Sequence, residues 1–260
     1  MKNFDLKNMK LSEIKQLSDC VMETERDLFL TALKSDERAG VQKYAVQLEN
    51  QQLRIDQEKR RMIQIFSYET HAWSEGFAFV AGLDEAGRGP LVGPVVAAAV
   101  ILDPKCDWTG IDDSKKLSAN QRNYFYDKIT SDALFYGIGQ ATHDEIDAIN
   151  ILQATKLAMK RAIHAMGIEP DYLLIDAVKL ADIPIKQMSL IKGDSKSASI
   201  AAASILAKVT RDRLLIELDM AHPQYGFAQH KGYGTKAHYE AISQYGLIPE
   251  YRKSFLKGIL

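Results

Sequence analysis

The chain has 260 residues, 46% hydrophobic and 26% charged, with a formal net charge of −1. That is an ordinary globular composition, long enough for one or two domains with a full core. The longest near-continuous apolar stretch, PLVGPVVAAAVIL (90–102), is too short for a membrane helix and is broken by Gly93 and Pro94. KNFDLKNMK after Met1 has no apolar run, so no secretory signal is expected. Cys20 and Cys106 show no metal-type spacing and read as free thiols, which suits a cytoplasmic protein.

Charge is unevenly spread. Residues 1–75 carry 12 basic and 13 acidic side chains, residues 76–177 carry 9 and 14, and residues 178–260 carry 12 and 7. An acidic middle suits cations and a basic last third suits phosphates.

Residues 1–75 read as a helical extension. Ser12 is placed to cap a first helix, SEIKQLSD. From Asp36 onward Val41, Tyr44, Ala45, Leu48, Ile55, Met62 and Phe66 recur at helical spacing, ending near Ser74-Glu75-Gly76. The pattern then changes. FAFVAGL (77–83) and VVAAAVIL (95–102) predict an antiparallel strand pair. SANQRNYFYDKI (118–129) is helical in character, and ALFYGIGQAT (133–142) predicts a third strand. One long helix follows from His143, its apolar face drawn from Ile146, Ile149, Leu152, Leu157 and Ile163 and its stop from Gly167. DYLLIDAV (171–178) and PIKQMSL (184–190) predict two more strands, and SKSASIAAASILAKVTRDRLLIEL a helix whose small residues permit close approach to a sheet. The expected fold is a mixed sheet, antiparallel at one side and parallel at the other, with helices on both faces. It would occupy 76–220, with a C-terminal helical and loop region over 221–260.

The stretch GLDEAGRGP (82–90) offers two chemistries. Its glycine spacing resembles a phosphate loop, but Arg88 and Gly89 stand where Lys and Ser/Thr belong, and Asp84 and Glu85 would repel the phosphate. A metal site fits better. Asp176 interrupts the apolar run YLLIDAV, and a strand carboxylate costs several kcal/mol unless paired or metal-bound. Asp194 in KGDSKSAS could instead be a helix cap, Asp112 and Asp113 turn formers, and Asp212 a salt-bridged helix residue. All-oxygen ligands select Mg²⁺ or Mn²⁺. Adjacent strand residues point to opposite faces, so Asp84 and Glu85 share a site only where the strand ends or twists.

Together LDEAGRGPLVGPVVAAAVIL, DDSKKLS, EIDAINILQATKLAM, LLIDA, KGDSKSASIAAASILAKVTRD and HKGYGTKAH resemble the ordered motifs of type II bacterial ribonuclease H, over about residues 77–250. DEAGRGP separates this pattern from the DESGKGD of ribonuclease HIII. The resemblance implies an α/β, RNase H-like fold with a mixed five-stranded sheet flanked by helices. It implies cleavage of RNA in RNA–DNA hybrids and incision 5′ of single ribonucleotides in duplex DNA, leaving 3′-hydroxyl and 5′-phosphate ends. Carried over by motif, Asp84, Glu85, Asp176 and Asp194 hold Mg²⁺ or Mn²⁺ and carry catalysis. Gly87, Arg88 and Gly89 sense the ribose 2′-OH, Tyr233 lies against the junction sugar, and Ser114, Lys115, Lys116 and Lys196 contact phosphate. His143 and His230 are not expected as ligands. The chain is expected to be a monomer that engages no membrane. Two other readings stand beside this one: a related metal nuclease acting on DNA junctions, and a non-catalytic nucleotide-binding module.

Overall fold

The computed structural model describes residues 4–256. The chain forms two compact units, Met1–Arg61 and Met62–Leu260. The first contains helices α1 (Leu11–Cys20) and α2 (Arg26–Lys34) and most of α3 (Ala39–Ile65). Ile14, Phe29, Leu33, Val41 and Ala45 form its core. Arg38 fastens the start of the chain, donating to the carbonyls of Met9 at 2.6 Å and Leu6 at 2.8 Å. Ser12 is not the cap: it lies inside α1, and Lys10 takes the cap position, its N–H donating to Glu13 at 2.6 Å. Ile55, expected on the apolar face of α3, is exposed.

The second unit begins within α3 and includes α4 (Ser67–Ser74). Ala72 of α4 packs with Val80, Tyr172, Leu174 and Ile200. The strands are β1 (Val80–Ala86), β2 (Val95–Ile101), β3 (Phe135–Ala141), β4 (Tyr172–Asp176) and β5 (Lys186–Leu190). They form one sheet in the order β3-β2-β1-β4-β5. β1 runs antiparallel to β2 and parallel to β4, so the mixed sheet expected from the sequence is present. Helices α5 (Ala119–Asp132) and α6 (His143–Ala165) flank β3 in sequence, and α7 (Ala198–Ala221), α8 (Phe227–His230) and α9 (Lys236–Tyr245) follow β5. Among the described residues no helix is long and apolar enough to cross a membrane.

Alternation along the strands decides which helix each face meets. Val96, Ala98 and Val100 of β2 pack with α5 and α7, whereas Ala97, Ala99 and Leu83 pack with α6. The small residues of α7 bring its backbone onto the sheet. Gly82 is required there, because a Cβ on it would stand 2.1 Å from the carbonyl carbon of Ser199.

The long helix α6 is not continuous. Asn150 breaks it with φ 68°, ψ 163°, a region almost reserved for glycine. The Asn150 side chain then caps the second half, accepting from Leu152 N–H at 3.0 Å and Gln153 N–H at 3.2 Å. The break shifts the helical phase, so Ile149 and Leu152 are exposed while Ile146, Ala154, Ala158, Met159 and Ala162 face the sheet.

Candidate active site

The site forms where the parallel strands end. The register between β1 and β4 runs to Leu83 opposite Ile175, and the next residues are Asp84 and Asp176. Two carboxylates thus stand on adjacent strands at the same edge. Glu85 follows at the last turn of β1, which ends at Ala86 before Gly87 at φ 92°. Pairing with β4 stops there, but β1 stays in register with β2 through Ala86, with Asp84 opposite Ala98 and Glu85 opposite Ala97, so the two acids leave the strand on opposite faces at its end.

Each acid is held by the chain. Asp84 is 5% exposed; its Oδ1 accepts from Glu85 N–H at 2.7 Å, and the Ser204 hydroxyl of α7 donates to the same carboxylate. Glu85 Oε1 accepts from Arg88 at 3.2 Å, while its Oε2 is buried with no hydrogen-bond partner. Asp176 Oδ1 accepts from Gly193 N–H at 2.7 Å. That bond ties β4 to the 3-10 turn Gly193–Ser195, where Asp194 is buried with Oδ2 3.5 Å from Lys115 Nζ. Asp194 is therefore not the cap of α7; Ser197 is.

Electrostatics joins the four. Burial and then the Glu85 charge push the Asp84 carboxyl well above its ordinary 3.8, with Asp176 adding to the effect. Burial also raises Glu85, Arg88 pulls it back, and Asp176 raises it again. Asp194 is raised by burial, then by Asp113, with a further contribution from Asp176. Among the described residues no three His, Cys, Asp or Glu side chains are grouped closely enough to hold a metal ion as they stand. The donor set still fits a hard divalent cation in chemistry: all ligands are oxygens, they repel one another, and one buried carboxylate oxygen lacks any donor.

These raised values have a sign. A carboxyl that is harder to ionise in the folded chain gives stability below its ordinary range, and that stability is lost as pH rises through the folded value. In chelator, Asp84→Asn should therefore melt above the wild type, by a margin that widens from pH 4 to pH 8. Melting curves of both proteins across that range check this; a margin independent of pH contradicts it.

The proposed phosphate contacts separate. Lys115 and Lys116 are exposed, and Lys116 Nζ lies 2.9 Å from Asp112. Lys196 is exposed just after Asp194. Ser114 differs from expectation: it is buried, with its hydroxyl 2.9 Å from that of Ser204. Since Ser204 donates to Asp84, Ser114 donates to Ser204, and its hydroxyl serves the carboxylate rather than a phosphate. Asp112 and Asp113 do shape the turn, accepting from Asp113 N–H at 2.8 Å and Lys115 N–H at 2.9 Å. Asp212 pairs with Lys208 at 2.6 Å, as a helix surface pair should.

Of Gly87, Arg88 and Gly89, the last lies beside Tyr233. A Cβ on Gly89 would touch the Tyr233 ring at 3.4 Å, and the ring is 49% exposed. Behind this surface lie residues with no signal in the sequence. Arg252, fully buried, donates to the carbonyls of Gly87 at 2.7 Å, Pro90 at 2.8 Å, Gly93 at 2.8 Å and Arg88 at 3.1 Å. Arg211, also buried, donates to Lys231 O at 3.0 Å and to Val92 O and Pro94 O at 3.2 Å each. Burial, with the Arg211 charge beside it, brings Arg252 down to about 9, and burial brings Arg211 to about 10; both stay protonated at neutral pH. His238 Nδ1 donates to Tyr233 O at 2.9 Å, and its Nε2 accepts from Tyr251 at 2.7 Å. Burial holds His238 down to about 4, so it is neutral there. His230 bonds Tyr225 O at 2.8 Å within the same loop region.

Comparison with known proteins agrees with this architecture. Residues 81–257 match the family model Ribonuclease HII, and residues 10–73 match Ribonuclease HII N-terminal domain. A ribonuclease HII of Clostridioides difficile (strain 630) is 47% identical over 256 residues, 98% of this chain and 100% of that one. Another, from Acetivibrio thermocellus, is 51% identical over 231 residues, 89% of this chain and 90% of that one. The crystal structure of ribonuclease H2 from Pyrococcus horikoshii OT3 superposes with a TM-score of 0.59 at 29% identity, covering 68% of this chain and 93% of that one. The chain belongs to the ribonuclease HII family.

Proposed function

We propose that this chain incises duplex DNA on the 5′ side of a single embedded ribonucleotide, as well as cutting the RNA strand of hybrids, leaving 3′-hydroxyl and 5′-phosphate ends. Family membership makes it a ribonuclease H, a hydrolase of RNA in RNA–DNA hybrids. The observation that carries the finer reading is the meeting of Asp84 and Asp176 at the ends of adjacent parallel strands, with Glu85 and its unpartnered buried oxygen beside them. Asp84, Glu85, Asp176 and Asp194 would hold Mg²⁺ or Mn²⁺. Such an ion supplies positive charge at the reacting phosphate, favouring both the attacking water and the departing 3′ oxygen.

The chain's own residues do the rest. Ser204 and Glu85 N–H fix the Asp84 carboxylate. Arg88 and Lys115 offset the surplus acidity, and their exposed cationic ends are free to meet a phosphate that enters the site. The glycines on either side of Arg88 leave the backbone open to a sugar, and Tyr233 offers a ring face and a hydroxyl.

The test is a strand-incision assay on a duplex with one ribonucleotide, with and without chelator. Incision 5′ of the ribonucleotide that chelator abolishes supports the reading; cleavage of an all-DNA junction instead would favour the junction nuclease. In the same assay Tyr233→Ala should lower single-ribonucleotide incision about tenfold or more, through loss of stacking worth roughly 1–3 kcal/mol. Unchanged rates would remove Tyr233 from the site.

A further inference from the structure

The carbonyls of Gly87 and Arg88 both point inward, onto the guanidinium of fully buried Arg252. Among the described residues there is no cis peptide bond. In a trans peptide the C=O and the following N–H point in opposite directions. The N–H groups of Arg88 and Gly89 are therefore turned away from the Arg252 guanidinium, in a stretch whose Gly89 lies against the exposed Tyr233 ring. The neighbouring peptides follow the same geometry. Pro90 O bonds Arg252, and Leu91 N–H, opposite it, reaches Gly232 O at 2.8 Å. Val92 O bonds Arg211, and Gly93 N–H, opposite it, reaches Glu250 O at 2.9 Å.

Among the described residues neither arginine is paired with a carboxylate; each donates to carbonyls. A planar fork of five donors suits this, and a lysine ammonium does not. Arg211 also spans the two loops, holding Lys231 next to the Tyr233 turn and Val92 and Pro94 beyond the glycines. A Cβ on Gly87 would lie 2.0 Å from Arg211 Nε, so the backbone rests directly on the cation.

We propose that Arg252 is a positioning residue for sugar recognition: it rotates two successive peptides so that the Arg88 and Gly89 N–H groups donate to the ribose 2′ oxygen, while Arg211 fixes their distance from Tyr233. This rests on the ribose-sensing reading above. Arg252 touches no substrate itself. Its loss should remove the preference for ribose without removing affinity for the duplex.

The test uses the full chain carrying Asp84→Asn, so that substrate is bound and not cut. Affinity is measured for a duplex with one ribonucleotide and for the same duplex in all-DNA form, with and without Arg252→Lys. The ribose-to-deoxyribose affinity ratio is expected to fall about tenfold in Arg252→Lys, with all-DNA affinity within about twofold. A merely structural defect would weaken both duplexes together. Amide resonances of Arg88 and Gly89 are followed in parallel in the Arg252 protein, and should shift with the ribonucleotide duplex and not with the all-DNA duplex. Should Arg252→Lys fail to fold, the amide shifts decide alone. A ratio preserved in Arg252→Lys, or amides that respond to both duplexes alike, overturns the role of Arg252 and leaves the ribose-sensing reading intact. Equal binding of both duplexes by the protein with Arg252 present overturns the ribose-sensing reading and this inference together.

Discussion

Asp84→Asn is expected to lower single-ribonucleotide incision by about 10³-fold or more, roughly 4 kcal/mol of transition-state stabilisation, while the chain stays folded. The substitution keeps the shape of the side chain and an oxygen that can still accept from Glu85 N–H. It removes one negative charge from a buried acid whose ionisation burial and Glu85 both oppose. That charge is expensive in the bare fold and would be compensated by a cation, so its loss weakens the hold on the ion while sparing, or even raising, the stability of the metal-free chain. The measurement is a rate on the ribonucleotide duplex under saturating Mg²⁺ and again under Mn²⁺, beside a melting curve. Near wild-type rates in both metals would show that Asp84 is not a ligand and would take the four-carboxylate site down with it.

Gly82→Ala is expected to destabilise the chain by about 3 kcal/mol, though it touches no acid. The added methyl would meet backbone, at 2.1 Å from Ser199 C and 2.3 Å from Ile200 N. Backbone cannot swing aside as a side chain can, so α7 must lift from β1. Lifting α7 also moves Ser204 away from Asp84 and loosens the Glu69 contacts at the start of the helix, where Glu69 Oε1 accepts from Ser197 Oγ at 2.5 Å and Ser199 N–H at 2.9 Å. Denaturant unfolding gives the stability change, and incision at a temperature where the variant is folded should fall as well. A loss below about 0.5 kcal/mol would mean that the helix accommodates the methyl.

The two effects differ in how far they could be anticipated. Asp84, Glu85 and Asp176 announce themselves because a carboxylate inside or ending an apolar strand is costly, and the sequence shows it there. The alternation of short strands and longer helices likewise predicts a mixed sheet, since each segment's hydrophobic period is local information. Ser12 and Asn150 show the limits of local reading. A serine near a helix start need not be its cap when a glutamate three residues beyond Lys10 satisfies the first N–H instead. An unbroken apolar pattern through Ile149 and Leu152 conceals a break, because Asn150 can cap the second half with its own side chain.

What the sequence determined alone was the kind of chemistry: which acids are out of place in a core, which glycines free a backbone, and which ordered motifs name the family. Tertiary structure decided the rest, because the deciding contacts join residues far apart in the chain. Ser114 turns inward to Ser204, ninety positions away, and Arg252 gathers carbonyls more than 150 positions before it. No local pattern distinguishes a buried arginine from a surface one; only the folded chain brings six unpaired carbonyls of one loop to two guanidiniums, and so aims that loop outward.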